Sequence, residues 1–191
     1  MRIAVLASGS GTILQAIIEA SIPLEVVVTD RECRAEKITT ENNLTHIRIE
    51  RNSYGKDFDR DAYTCEVRDT LNKHRIDLVA MAGFGTILNK PIYDDFTNRI
   101  LNTHPSLLPS FPGWHAVEEA LKYGVKVTGC TVHIATEEVD AGPILSQEAI
   151  QVLKDDTKET LHERIKEVER RLYIDTLKNI ITTRELYERD Q

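Results

Sequence analysis

Ile3-Ala4-Val5-Leu6-Ala7 runs directly into Ser8-Gly9-Ser10-Gly11-Thr12, and Leu14, Ile17 and Ile18 follow at helical spacing. A short apolar strand, a glycine turn and an amphipathic helix begin a strand–helix alternation. Met1-Arg2 before the apolar stretch is compatible with a signal peptide, but its apolar core needs ~7–15 residues. Five apolar residues ending in glycines read instead as a buried first strand. Outward from there the pattern repeats. Residues 24–28 end in the β-branched run Val26-Val27-Val28, the mark of a strand covered on both faces. Residues 34–43 read as a helix, 46–49 as a strand, and Tyr63, Val67 and Leu71 as one face of a helix. Residues 77–82 form another buried strand and 100–102 a short one. Two later strands, 126–135 and 143–152, flank a charged loop. Leu161, Ile165, Val168 and Leu172 line a long final helix.

This order predicts an α/β fold: one open, mostly parallel twisted sheet with helices on both faces. The two late strands lack a helix between them, so the C-terminal part should contain antiparallel pairing. Ligands in such sheets bind beyond the carboxyl ends of the strands. The loops after residues 7, 82, 102 and 135 therefore carry the functional expectation.

Composition narrows the partners. The 191 residues are 41% hydrophobic and 29% charged, enough apolar content for a core. With 24 Lys plus Arg against 31 Asp plus Glu, the net charge of −7 disfavours nucleic acid and anionic membrane as partners. No stretch approaches the ~20 apolar residues of a membrane span. Cys33, Cys65 and Cys130 are widely spaced and odd in number, which fits a reducing cytoplasm rather than a disulfide framework.

Three segments carry chemistry. Free N–H groups after Ser8-Gly9-Ser10-Gly11-Thr12, at a helix start, suit a phosphate. The same residues equally suit a tight turn capped by Ser10 or Thr12. Asn102-Thr103-His104-Pro105 places an amide and an imidazole two apart at a strand end, pointing the same way if the strand persists. Such a pair can stabilise an oxyanion and move a proton, or merely satisfy loop backbone. Glu137-Glu138-Val139-Asp140-Ala141-Gly142-Pro143 is either a solvated acidic turn or a rigid mount for Asp140. In the second case Asp140 would hydrogen-bond His104 and favour its protonated form. His133 on its strand is as compatible with packing as with a site. His104, His115, His133 and Asp140 lack metal-ligand spacing, so no metal is expected. Cys130 reads as a small packed hydrophobe, and no G-x-S-x-G elbow is present.

Asn102-x-His104-Pro105-Ser106-Leu107-Leu108-Pro109, Gly129-Cys130-Thr131-Val132-His133 and Asp140-x-Gly142-Pro143 resemble the formyltransferase superfamily that uses 10-formyltetrahydrofolate. The glycine loop with Leu14-Gln15-Ala16-Ile17, Ala82-Gly83-Phe84 before Ile87-Leu88, and Glu169 narrow the resemblance to the phosphoribosylglycinamide formyltransferase family. The resemblance implies formyl transfer from 10-formyltetrahydrofolate, as co-substrate, to the amine of 5-phosphoribosylglycinamide in purine synthesis. It implies catalytic roles for Asn102, His104 and Asp140, and substrate binding by Gly11, Thr12, Ile13 and Glu169. Folate binding falls on Arg60, Gly85, Thr86, Ile87, Leu88, Asn102, Glu137, Glu138 and Asp140. The chain departs from the family at Ile13, where Asn is common, and at Gly85-Thr86, where Met-Arg is common.

The expected organisation is one domain over residues 1–191, with a phosphate-binding half near 1–100 and a catalytic and folate half near 101–191. A cytoplasmic monomer or homodimer acting on small molecules is expected. Three other readings stay open: a hydrolase passing the same formyl group to water, a formyltransferase acting on initiator transfer RNA, and a non-catalytic nucleotide- or folate-binding module.

Overall fold

A computed structural model describes residues 1–185. Its elements are β1 (Ile3–Ala7), α1 (Thr12–Glu19), β2 (Val26–Thr29), α2 (Arg34–Glu41), β3 (His46–Arg48), α3 (Arg60–Lys73), β4 (Leu78–Met81), α4 (Lys90–Asp95), β5 (Ile100–His104), α5 (Ala116–Tyr123), β6 (Val127–Ile134), β7 (Ile144–Gln151) and α6 (Lys158–Thr183). The strand order is β3-β2-β1-β4-β5-β6-β7. The expected open, mostly parallel sheet is therefore present, and the chain divides into two compact units at Leu101 and Asn102.

In the first unit β1 pairs in parallel with β2 and with β4, β2 with β3, and Val79 and Ala80 of β4 with Ile100 and Leu101. Every residue of β1, β2 and β4 is buried. Burial on both faces explains why these segments are continuous apolar runs rather than alternating ones. In α1 the core side chains are Ile13, Leu14 and Ile17, while Ile18, expected inward, is only half-buried. The stripe lies one residue earlier because the helix starts at Thr12.

In the second unit β6 and β7 are antiparallel, with a register shift between Val132 and His133. Against them packs α6. Its start is a reciprocal cap: the Thr157 side chain accepts from the Thr160 N–H, and the Thr160 hydroxyl accepts from the Thr157 N–H. From there Leu161, Ile165, Leu172, Leu177 and Ile180 bury one stripe; Val168, expected among them, is half-buried.

β1 has its expected limits, and the other strand ends fall on or one or two residues inside theirs, except that β2 runs on to Thr29 and β5 to His104. Two helices escaped the sequence reading. The six residues of α4 include Pro91 in the first turn, and the eight of α5 bury only Ala116, Val117 and Ala120. The first is too short for apolar spacing to stand out, and the second buries only two alanines and a valine, a weak stripe. Among the described residues no helix is long and apolar enough to cross a membrane.

Candidate active site

Two clusters of the expected residues form, one in each unit. In the first, Gly11 is the N-cap of α1 with φ of 69°, and among the described residues no side chain caps that helix. The turn capped by Ser10 or Thr12 is thus not what the loop forms. Only glycine fits here: a Cβ would lie 2.7 Å from Ile38 Cδ1 and in a left-handed backbone. The opening N–H groups of α1 have no partner within the helix, and the helix dipole adds positive character. Ile13 offers only its backbone, because its side chain is in the core.

The loop after β4 is tied to its neighbours by polar contacts. Ser8 N–H donates to the Gly83 carbonyl at 3.2 Å, and Gly85 N–H donates to Ser8 Oγ at 2.6 Å. Thr86 is buried, and its hydroxyl donates to Asp30 Oδ2 at 2.7 Å. Leu88 is in the core and Ile87 is half-buried, so this loop presents backbone rather than polar side chains. Arg31 grips the same Asp30 carboxylate with Nε at 2.9 Å and Nη2 at 2.8 Å. Burial pushes the Asp30 carboxyl up, but the hydrogen bonds from Arg31, Thr86 and Ser8 outweigh it and hold it below its ordinary range. Arg60 is exposed at the first turn of α3, just after the Asp59 cap.

The second cluster is built on β5. Alternation along the strand sends Asn102 and His104 to one side and Thr103 to the other. Asp140 Oδ2 lies 3.2 Å from His104 Nδ1 and accepts from the Gly113 N–H at 2.8 Å. His104 Nε2 lies 2.7 Å from the Phe111 carbonyl. Both ring nitrogens of His104 therefore face oxygen acceptors, and only the imidazolium donates to both. The expected His104–Asp140 contact is present.

His133 proves to be both packed and part of this cluster. Its Nδ1 faces the Ile134 carbonyl at 2.9 Å, and its Nε2 meets Asn102 Nδ2 at 3.2 Å. Burial pushes the His133 imidazole down, favouring the neutral ring. With Nδ1 as donor, Nε2 accepts from the Asn102 amide and fixes which way that amide points. The second N–H of the same amide makes no hydrogen bond among the described residues. On the opposite side of β5, Thr103 Oγ1 donates to Glu169 Oε1 at 2.9 Å. Burial pushes the Glu169 carboxyl up, and the Thr103 bond offsets this in part.

Glu137 and Glu138 are exposed on the turn before Asp140, apart from these contacts. His115 is also apart, exposed and 3.2 Å from Glu118. Cys130 is buried, its thiol pushed up to about 12 by desolvation, which leaves it inert as a nucleophile. Among the described residues no group of three or more His, Cys, Asp or Glu could hold a metal ion.

Sequence reasoning missed Asp30 with Arg31, and the Phe111 carbonyl. A charged pair directly after a β-branched strand at the carboxyl edge of the sheet was a usable signal for the first. The second is a main-chain atom and leaves no side-chain signature.

An amide, an imidazole and a carboxylate gathered at the end of a parallel strand can polarise a carbonyl and move a proton without a covalent nucleophile. A family model described as formyl transferase matches residues 1–177, and the chain belongs to that family. It is 45% identical over 178 residues to the phosphoribosylglycinamide formyltransferase of Mycobacterium tuberculosis, covering 91% of this chain and 81% of that one. The phosphoribosylglycinamide formyltransferase structure from Bacillus halodurans aligns with a TM-score of 0.88 at 36% identity, covering 97% of each chain. That from Coxiella burnetii, in complex with CHES, aligns at 0.91 and 30% identity over all of this chain and 92% of its own. A formyltetrahydrofolate deformylase from Pseudomonas syringae shares the fold at 24% identity.

Proposed function

We propose that this chain transfers the formyl group of 10-formyltetrahydrofolate to the amine of 5-phosphoribosylglycinamide, giving the N-formyl product and tetrahydrofolate for purine biosynthesis in the cytoplasm. The observation that carries this reading is the Asn102, His104 and Asp140 constellation in a formyl transferase chain.

The neutral amine attacks the formyl carbon, a C–N bond forms, and the formyl oxygen takes the negative charge. The Asn102 amide would donate to that oxygen, and His104, when protonated between Asp140 and the Phe111 carbonyl, would supply positive charge beside it. Asp140 holds His104 in place and relays the proton lost by the attacking nitrogen. Collapse of the intermediate breaks the bond to the folate nitrogen, which takes up a proton. The amine is itself the nucleophile, so the inert Cys130 is no obstacle. Backbone N–H groups of Thr12 and Ile13 at the Gly11 cap would receive the substrate phosphate, and Glu169 its glycinamide end. The loop at Gly85, Thr86, Ile87 and Leu88, with Arg60 and the turn carrying Glu137 and Glu138, would receive the folate. A net charge of −7 is tolerable because the phosphate would meet local amides and a helix dipole.

The test is turnover of 10-formyltetrahydrofolate with and without 5-phosphoribosylglycinamide. Formyl transfer that requires the amine supports the proposal. Equal consumption in its absence would establish a hydrolase, and no consumption in either condition a binding module.

A further inference from the structure

Asp30 is a fully buried carboxylate that the mechanism above does not use, and it stands where three loops converge. From the loop after β2, Arg31 grips it with two hydrogen bonds. From the loop after β4, the buried Thr86 hydroxyl donates to it at 2.7 Å. From the loop after β1, the Ser8 hydroxyl stands close enough to lower the Asp30 pKa, and it accepts the Gly85 N–H at 2.6 Å. The Gly85 N–H is thus tied to a hydroxyl that stands beside the Asp30 carboxylate.

The same arrangement accounts for the unusual Gly85-Thr86 pair. A Cβ at residue 85 would lie 3.0 Å from Arg31 Nη2 and 3.4 Å from Ser8 Oγ. Arg31 occupies the space that a side chain at 85 would need. Its guanidinium cannot yield cheaply, because Asp30 fixes it at both ends of the fork. Thr86 is short enough to turn inward to Asp30.

We propose that Asp30 is a positioning residue: through Ser8, Arg31 and Thr86 it sets the backbone of residues 83–88 and thereby the affinity for the folate co-substrate. This rests on the reading of that loop as the folate-binding segment. Arg31 also neutralises Asp30, so a carboxylate can stand beside a loop meant for an anion. Asp30 acts on binding and not on the chemical step.

The experiment compares wild type, Asp30→Asn, Thr86→Val and the double variant by two readouts. In steady-state kinetics Asp30→Asn should raise the KM for 10-formyltetrahydrofolate roughly tenfold or more, as loss of charge-assisted bonds does, with kcat changed less than about threefold. Thr86→Val should raise the same KM less. The double variant should not exceed Asp30→Asn alone, because the Thr86 hydroxyl acts through the same carboxylate that Asp30→Asn removes. In hydrogen exchange, the Gly85 amide should exchange roughly tenfold faster in Asp30→Asn, while amides of β4 stay protected.

Additive KM effects, an unchanged folate KM, or an unchanged Gly85 exchange rate would overturn the proposal. So would equal losses in kcat and in both KM values with faster exchange throughout β4, which marks general destabilisation. If wild type transfers no formyl group, the functional reading fails by itself. The exchange measurement then still decides whether Asp30 holds the loop.

Discussion

The cluster after β1, β2 and β4 and the cluster on β5 are built from different materials. The first presents main-chain atoms at the start of α1 and along residues 85–88, with its side chains turned to each other or to the core. The second presents side-chain atoms of Asn102, His104 and Asp140, with main-chain groups holding them from behind. Backbone offers fixed dipoles at fixed positions, which suits holding a phosphate or a flat heterocycle. Side chains offer groups that gain and lose protons, which suits bond making. On the proposed reading, binding and chemistry fall to the two kinds of atom best able to perform them.

The sharpest way to break this comparison is His104→Ala. Turnover should fall roughly 100- to 10,000-fold, as when a general acid is lost, with circular dichroism unchanged. Near-native turnover would remove the second cluster from the chemistry. Gly11 tests the first cluster in turn. Gly11→Ala should lower unfolding free energy by about 1–3 kcal/mol, since it combines a left-handed residue with a contact to Ile38. It should also raise the KM for phosphoribosylglycinamide more than that for the folate. Equal changes in the two KM values would separate the loop from phosphate binding.

A finer comparison concerns His133, whose neutral ring orients the Asn102 amide. His133→Ala should lower kcat by ~3- to 10-fold, the worth of one hydrogen bond, with little change in either KM. An unchanged kcat would show that Asn102 needs no guide. The smallest effect is expected at Glu169, whose folded carboxyl holds its proton to higher pH than the unfolded one. This group costs the folded state stability as pH rises from the unfolded carboxyl range through the raised folded one. Glu169→Gln removes that cost while keeping an acceptor for Thr103, so its advantage should appear through that window and persist at pH 7. An upward shift in Tm of roughly 2–4 °C at pH 7, vanishing in acid, is the expected result. A shift independent of pH would refute the role of Glu169 ionisation.

The contrast in materials also explains what could be read from the sequence. The parallel sheet was legible because β1, β2 and β4 are buried on both faces and so are written in unbroken apolar residues. Asn102 and His104 were legible because a period of two at a strand end fixes their common side, and Asp140 because a glycine and a proline follow it. The partnership of Asn102 with His133 was not, since it links residues on separate strands through a choice of tautomer. Asp30 looked like any carboxylate at a loop entrance; only burial and three donors reveal it. Gly11 advertised a turn, while its capless helix start depends on Ile38 and Ala35, distant in sequence.

One feature of the β5 cluster bears on how such a site is inherited. The Phe111 carbonyl that faces His104 Nε2 belongs to the main chain, and its residue has a left-handed φ of 53°. No exchange of one side chain for another deletes a carbonyl. What places it is the spacing of seven positions between His104 and Phe111. The side chain at position 111 can therefore change without loss of the contact, yet gaining or losing a single codon between the two residues would take the oxygen away from the imidazole. Selection on this contact acts on length, and a comparison of related genes scored only by residue identity would pass over it.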